Sequence, residues 1–237
     1  MGEHGAGSVE GAKPVQVGAP AHGVRVFACE LARGGADVAA LERTLSAEEI
    51  ARAARFGRPD LRDRYVVGRA TLRALLAEAL GLAPAHVPIV RGRRGRPMVR
   101  GGTIDFNVSH TSGTAVFCLA HSVRVGIDIE HRDRAVNVDG VARKFMSPRE
   151  QATIAGLAGD ARRHALLRLW TCKEAMSKAT GDALSAPFRR LDVQSAPELA
   201  LASGPPPYDP GRWRLLPVDV PGGFFTTVAV WHEPPSP

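Results

Sequence analysis

The chain has 237 residues, 44% of them hydrophobic, enough to bury one good core or two small ones. Lysine and arginine total 31 against 24 acids, so a polyanion is the partner class the balance suits: nucleic acid, a phosphorylated cofactor or an acidic protein face. No run approaches the roughly 18 apolar residues of a membrane span, the N-terminal Met1-Gly-Glu-His lacks the form of a signal peptide, and Cys29, Cys118 and Cys172 are scattered in apolar settings without zinc spacing, which reads as buried thiols in a cytoplasmic protein.

Residues 1–22, rich in Gly, Ala and Pro, are expected as a disordered tail. Val24–Leu31 reads as a strand. Ser46-Ala-Glu-Glu49 is a capping box opening a short helix through Phe56. Pro59–Leu80 follows as a longer helix, stopped by Gly81. Strands are expected at His86–Val90, Thr103–Val108, Thr114–Ala120 and Val123–Glu130, with Thr111-Ser-Gly113 as a turn. Ser147-Pro-Arg-Glu150 is a second capping box, and a long helix covers Asp160–Thr180. Strands near Leu191–Gln194, Trp213–Pro217 and Phe224–Trp231 complete the pattern, with Leu201–Gly211 as a Pro-rich surface connection and 233–237 as a loose end. Ser46 and Ser147 lie 101 residues apart and Arg69 and Lys173 104 apart, each pair in the same succession of short helix, long helix and strands. Two duplicated subdomains, 23–130 and 131–232, are therefore expected, with a site where they meet.

Two stretches carry chemistry. In Val125-Gly-Ile-Asp-Ile-Glu130 the strand alternation places Asp128 and Glu130 on one face, opposite Val125, Ile127 and Ile129. In Trp170-Thr-Cys-Lys-Glu-Ala-Met-Ser-Lys178 the helical period sets Trp170, Glu174 and Lys178 on one side. Alone, Glu174 and Lys178 make an ordinary surface ion pair, worth roughly 0.2–0.5 kcal/mol, and Asp128 and Glu130 the wet face of a strand. Neighbouring carboxylates repel, however, and the pair is better explained with a cation between them. Together with Glu174 they would make a hard oxygen site that suits magnesium when phosphate oxygens complete its shell.

Four blocks in order resemble the Sfp-type 4′-phosphopantetheinyl transferases: Gly95-Arg96-Pro97, Phe106-Asn-Val-Ser-His110, Val125 through Glu130, and Trp170 through Lys178 followed by Gly181. The resemblance covers residues 24–231. It implies an α+β fold of two pseudo-twofold-related subdomains, each a small sheet packed on a long helix. It also implies a monomeric enzyme of the holo-acyl-carrier-protein synthase type. Such an enzyme moves the phosphopantetheine arm of coenzyme A onto a serine of acyl or peptidyl carrier proteins and releases adenosine 3′,5′-bisphosphate.

By the same resemblance Asp128, Glu130 and Glu174 hold Mg2+, Glu174 is the candidate base, and Lys178 reaches the departing phosphate. Ser109 and His110 bind the ribose 3′-phosphate. Arg96, standing where lysine is commoner, Arg52 and Arg64 are further cofactor-binding candidates, and Lys173 is expected to hold the cofactor or the seam between the subdomains. Two other readings fit parts of the chain: a catalytically idle homologue that binds coenzyme A or a carrier protein, and a basic nucleic-acid module built on Arg91–Arg100. The intact acids and Lys178 argue against the first, and missing zinc-finger spacing and stacking aromatics against the second. No nucleic-acid or membrane partner is expected. The Arg, Ala and Gly content suggests a GC-rich genome and, through polyketide or nonribosomal peptide carriers, antibiotic biosynthesis.

Overall fold

Helices dominate the first of the two units into which the chain divides in the computed structural model, which describes residues 14–232 apart from 33, 34, 103, 112 and 196. This unit holds Cys29–Val87 and Gly113–Ala115, and its helices are α1 (Gly35–Glu42), α2 (Ala47–Ala53) and α3 (Pro59–Leu80). The Ser46 hydroxyl accepts from the Glu49 N–H, and the Ser46 N–H donates to Glu49 Oε2 at 3.0 Å, closing the predicted capping box. Glu49 is buried and also accepts from Arg69 and Arg73. Burial opposes its ionisation, but Arg73, Arg69 and the Ser46 N–H together hold its carboxyl below the usual range. Arg73 Nη1 donates onward to the Pro84 and Val87 carbonyls, at 2.7 and 3.2 Å, tying α2 through α3 to the turn that follows.

The second unit holds Gln16–Ala28, Pro88–Ser112 and the chain from Val116 on. Its strands include β1 (Val15–Ala21), β2 (Val24–Glu30), β3 (Ile89–Arg91), β4 (Pro97–Val99), β5 (Ile104–Thr111), β6 (Thr114–His121) and β7 (Arg124–His131). After them come α4 (Val138–Phe145), α5 (Pro148–Ala155) and α6 (Gly159–Thr180), then β8 (Asp192–Gln194), β9 (Ala200–Ser203), β10 (Trp213–Pro217) and β11 (Phe224–Trp231). The sheets run β1-β2-β6-β5 and β10-β11-β7, with small antiparallel pairs β3–β4 and β8–β9. An α+β fold with small sheets results, as predicted. One core joins Val26, Val116 and Cys118 to Ile127, Ile129 and Val228. A second wraps α6, where Leu166, Leu169, Cys172 and Met176 meet Tyr208, Trp213 and Trp231.

Two elements of the first half have counterparts in the second. Ser147 and Glu150 repeat the capping box, and buried Glu150 takes Lys173 at 2.6 Å as Glu49 takes Arg73. Each long helix has 22 residues and ends on a glycine with φ of 67° or 83°, left-handed conformations that favour glycine. With Gly81 matching Gly181, the counterpart of Lys173 is Arg73, so the offset of 104 through Arg69 is corrected to 100.

Other expectations shift. Strand β1 occupies part of the supposed tail, whose first 13 residues lie outside the described ones, as does 233–237. Val17 and Ala21 pack on the first core, an alternation too weak to read against Gly and Pro. Helices α1 and α4 were not foreseen; Asn137 caps α4 by accepting from the Gly140 N–H, without a glutamate to complete the signature. The expected His86–Val90 strand is a turn of 3-10 helix at Pro84–His86 and then β3. The Pro-rich connection contains β9 and a fully buried Tyr208, stacked on Trp213. The compact units also do not divide at 130: β7 shares its core with β6, and its edge amides are capped from β5.

Candidate active site

Strand β7 is buried along nearly its whole length, so Asp128 and Glu130 do not face water as an ordinary polar strand face would. They face α6. A Cβ built on Gly126 would lie 1.9 Å from the Ala175 carbonyl oxygen and 2.7 Å from the Ala179 nitrogen. Only glycine lets the helix backbone come this close, and the same face then carries Asp128 and Glu130 at the next two alternate positions. The opposite edge of β7 is held by side chains of β5: Val125 N–H donates to Asp105 Oδ2 at 2.8 Å and Ile127 N–H to Asn107 Oδ1 at 3.0 Å.

The next residue of that alternation, Ser109, donates its hydroxyl to Asp128 Oδ1 at 2.8 Å. Lys178 Nζ donates to the same Oδ1 at 2.6 Å, to Ser109 Oγ at 2.8 Å and to the Ile127 carbonyl at 3.2 Å. Asp128 Oδ2 is buried with no partner among the described residues. Glu130 pairs with Arg134, four residues on, and the Glu174 carboxylate makes no hydrogen bond among the described residues. Burial raises the Glu174 carboxyl, Asp128 and Glu130 raise it further, and Lys178 and Arg134 oppose them. Burial likewise raises the Glu130 carboxyl, against the pull of Arg134.

Three carboxylates thus sense one another's charge beside two cations, with one buried carboxylate oxygen unpartnered. Among the described residues no three of these side chains are gathered into a ready-made cage for a metal ion. The donor set is nevertheless hard oxygen with surplus negative charge, which fits a divalent cation whose remaining ligands are oxygens of substrate or water.

The other predicted residues separate into groups. His110 follows Ser109 on the strand and is exposed. Arg96 is buried and engaged internally. It grips Asp105 through two 2.7 Å bonds and donates to the carbonyls of Lys178 at 2.9 Å, Val125 at 2.8 Å and Phe106 at 3.2 Å. Its fork pins the end of α6 to β5 and β7 and is not turned to a cofactor. Lys173 is engaged internally in the same way. Fully buried, it pairs with Glu150 and donates to the Phe145, Phe188 and Leu191 carbonyls, leaving no proton for a ligand. Arg52 and Arg64 belong to the first unit, Arg52 over the Tyr65 ring at 5.5 Å and Arg64 exposed on α3. Asp105, Asn107 and Arg134 were missed, although Asp105, Asn107 and Ser109 form a legible polar row on one strand face.

A buried acid strand is met by a helical glutamate and lysine, with a serine hydroxyl bonded to Asp128 and Lys178, on an α+β scaffold, and its charges suit phosphate with a divalent cation. Comparison with known proteins makes the class specific. The family model described as the 4′-phosphopantetheinyl transferase superfamily matches residues 124–218, and that of the 4′-phosphopantetheinyl transferase N-terminal region matches 35–122. The chain is 34% identical to the 4′-phosphopantetheinyl transferase HetI of Nostoc sp. over 161 residues, 66% of this chain and 68% of that protein. It is 30% identical over 151 residues to a 4′-phosphopantetheinyl transferase of Bacillus subtilis, 63% of this chain and 66% of that one. The chain belongs to the 4′-phosphopantetheinyl transferase superfamily and is a transferase of that type.

Proposed function

We propose that this protein transfers the 4′-phosphopantetheine arm of coenzyme A to a serine of acyl or peptidyl carrier proteins, with Mg2+, releasing adenosine 3′,5′-bisphosphate. The observation that carries the proposal is the cluster of Asp128, Ser109 and Lys178 with Glu130 and Glu174 beside it, all within the stretches that the two family models match. Asp128, Glu130 and Glu174 are the residues that would hold Mg2+, which would offset the charge of the diphosphate.

The serine hydroxyl of the carrier protein attacks the β-phosphorus, and the bond from that phosphorus to the bridging oxygen breaks. The serine proton passes to Glu174, directly or through water. Lys178, released from Asp128, meets the negative charge on the departing bisphosphate. Ser109 and His110 hold cofactor phosphate, and Arg96 keeps Lys178 in register. Arg52 and Arg64 are further candidate cofactor contacts. The same reading makes the protein a cytoplasmic monomer serving secondary-metabolite carriers.

Incubating an apo carrier protein with the enzyme, coenzyme A and Mg2+ should add one phosphopantetheine arm by mass spectrometry, and Asp128→Asn and Glu174→Gln should abolish the gain. Absence of modification by the wild-type protein, with a known transferase working in parallel, would refute the proposal. Binding of carrier protein or coenzyme A without transfer would establish the idle homologue instead.

A further inference from the structure

Phe225 of β11 lies directly across from Glu130 in the β7–β11 register. Its buried ring gathers basic neighbours: Arg132 Cζ stands 5.1 Å from the centroid, Arg168 Cζ 4.8 Å, and the His164 imidazole packs edge-on at 5.2 Å. Arg132 uses Nε on the Phe224 carbonyl at 3.3 Å, and its outer amino groups make no bond among the described residues. Arg168 is exposed and makes neither hydrogen bond nor ion pair with its side chain among them. His164 Nε2 is buried without a partner among the described residues.

Nearby arginines behave otherwise. Arg162 pairs with Asp139, Arg163 with Asp133 and Asp160, and Arg134 with Glu130. Two guanidiniums without a carboxylate therefore converge on one ring, whose negative face holds them in place. A guanidinium so oriented presents a planar fork suited to an oxoanion.

Position narrows the anion. Arg168 and Lys178 are ten residues apart on α6, about 15 Å along its axis, with Glu174 between them. An in-line transfer places the attacking and leaving groups on opposite sides of phosphorus. With Lys178 on the leaving side, the Arg132–Arg168 pair falls on the attacking side. The geometry points to Arg132, Phe225 and Arg168 as a recognition site for a carboxylate of the protein acceptor, beside its reacting serine. This inference rests on the transferase reading, and the formal net charge of +7 favours the same kind of encounter.

Calorimetry of apo carrier protein binding without coenzyme A tests it apart from catalysis. Arg168→Glu and the Arg132→Ala/Arg168→Ala double variant should weaken binding about tenfold or more, the factor lost with one charge-assisted contact. They should raise KM for the carrier protein while KM for coenzyme A stays within about twofold. Arg168→Lys, which keeps charge and fold, should lose less, and exchanging an acceptor acid for lysine should restore binding to Arg168→Glu. Unchanged carrier affinity in variants with native circular dichroism would overturn the inference. So would a rise confined to KM for coenzyme A, which would assign the pair to a cofactor phosphate. Wild-type binding that responds to these variants without any transfer supports this site and defeats the transfer reading alone.

Discussion

Gly126→Ala adds one methyl where the structure has no room. The new carbon would sit 1.9 Å from the Ala175 carbonyl oxygen and 2.7 Å from the Ala179 nitrogen, both backbone atoms of α6. Since real contacts of this kind stay beyond 3.0 Å, helix and strand must part by about 1 Å. Overpacking of this sort destabilises by roughly 1–3 kcal/mol, which lowers Tm by about 2–12 °C at this chain length. The effect on chemistry should be larger. Glu174 and Lys178 ride on the displaced helix while Asp128 stays on the strand, so the 2.6 Å contact of Lys178 with Asp128 is lost. A misplacement of about 1 Å can lower turnover about 100-fold. Thermal denaturation and carrier-protein modification at saturating coenzyme A read the two effects together. A variant with near-normal kcat would refute the claim that close helix–strand approach sets the site.

Lys173→Met should destabilise the fold by roughly 3–5 kcal/mol, because Glu150 is left buried and unpaired, while KM for coenzyme A in the folded protein stays unchanged. Denaturant unfolding with kinetics would detect the opposite pattern, expected of a cofactor ligand. Arg96→Lys keeps the charge but not the fork, so a loss of roughly 1–3 kcal/mol is expected, and wild-type unfolding midpoints would contradict it. Glu174→Gln should abolish transfer and raise Tm at neutral and alkaline pH. The folded Glu174 carboxyl is raised by burial and then by its acidic neighbours, so the native state holds this proton more tightly than the unfolded chain. Its stability contribution is present below the usual glutamate value and lost as pH rises through the raised one. The gain in Tm should therefore vanish below about pH 4, and a gain that grew in acid would reverse the assignment.

Local rules made much of this protein readable. Both capping boxes, both long helices with their terminal glycines, and the acid strand follow from spacing within a few residues, because caps and periodicity are local interactions. The set of Asp128, Glu130, Glu174 and Lys178 was equally legible, since alternation and the helical turn decide which side chains share a face. What they touch was not. Arg96 and Lys173 carry the charge of phosphate ligands, yet tertiary packing surrounds them with carboxylates and carbonyls that leave them no role but structure. Arg134, four residues beyond Glu130 and outside any regular element, becomes its partner only through the turn that follows β7. The close approach that makes Gly126 necessary depends on backbone atoms nearly fifty residues away, and no window of sequence contains that distance.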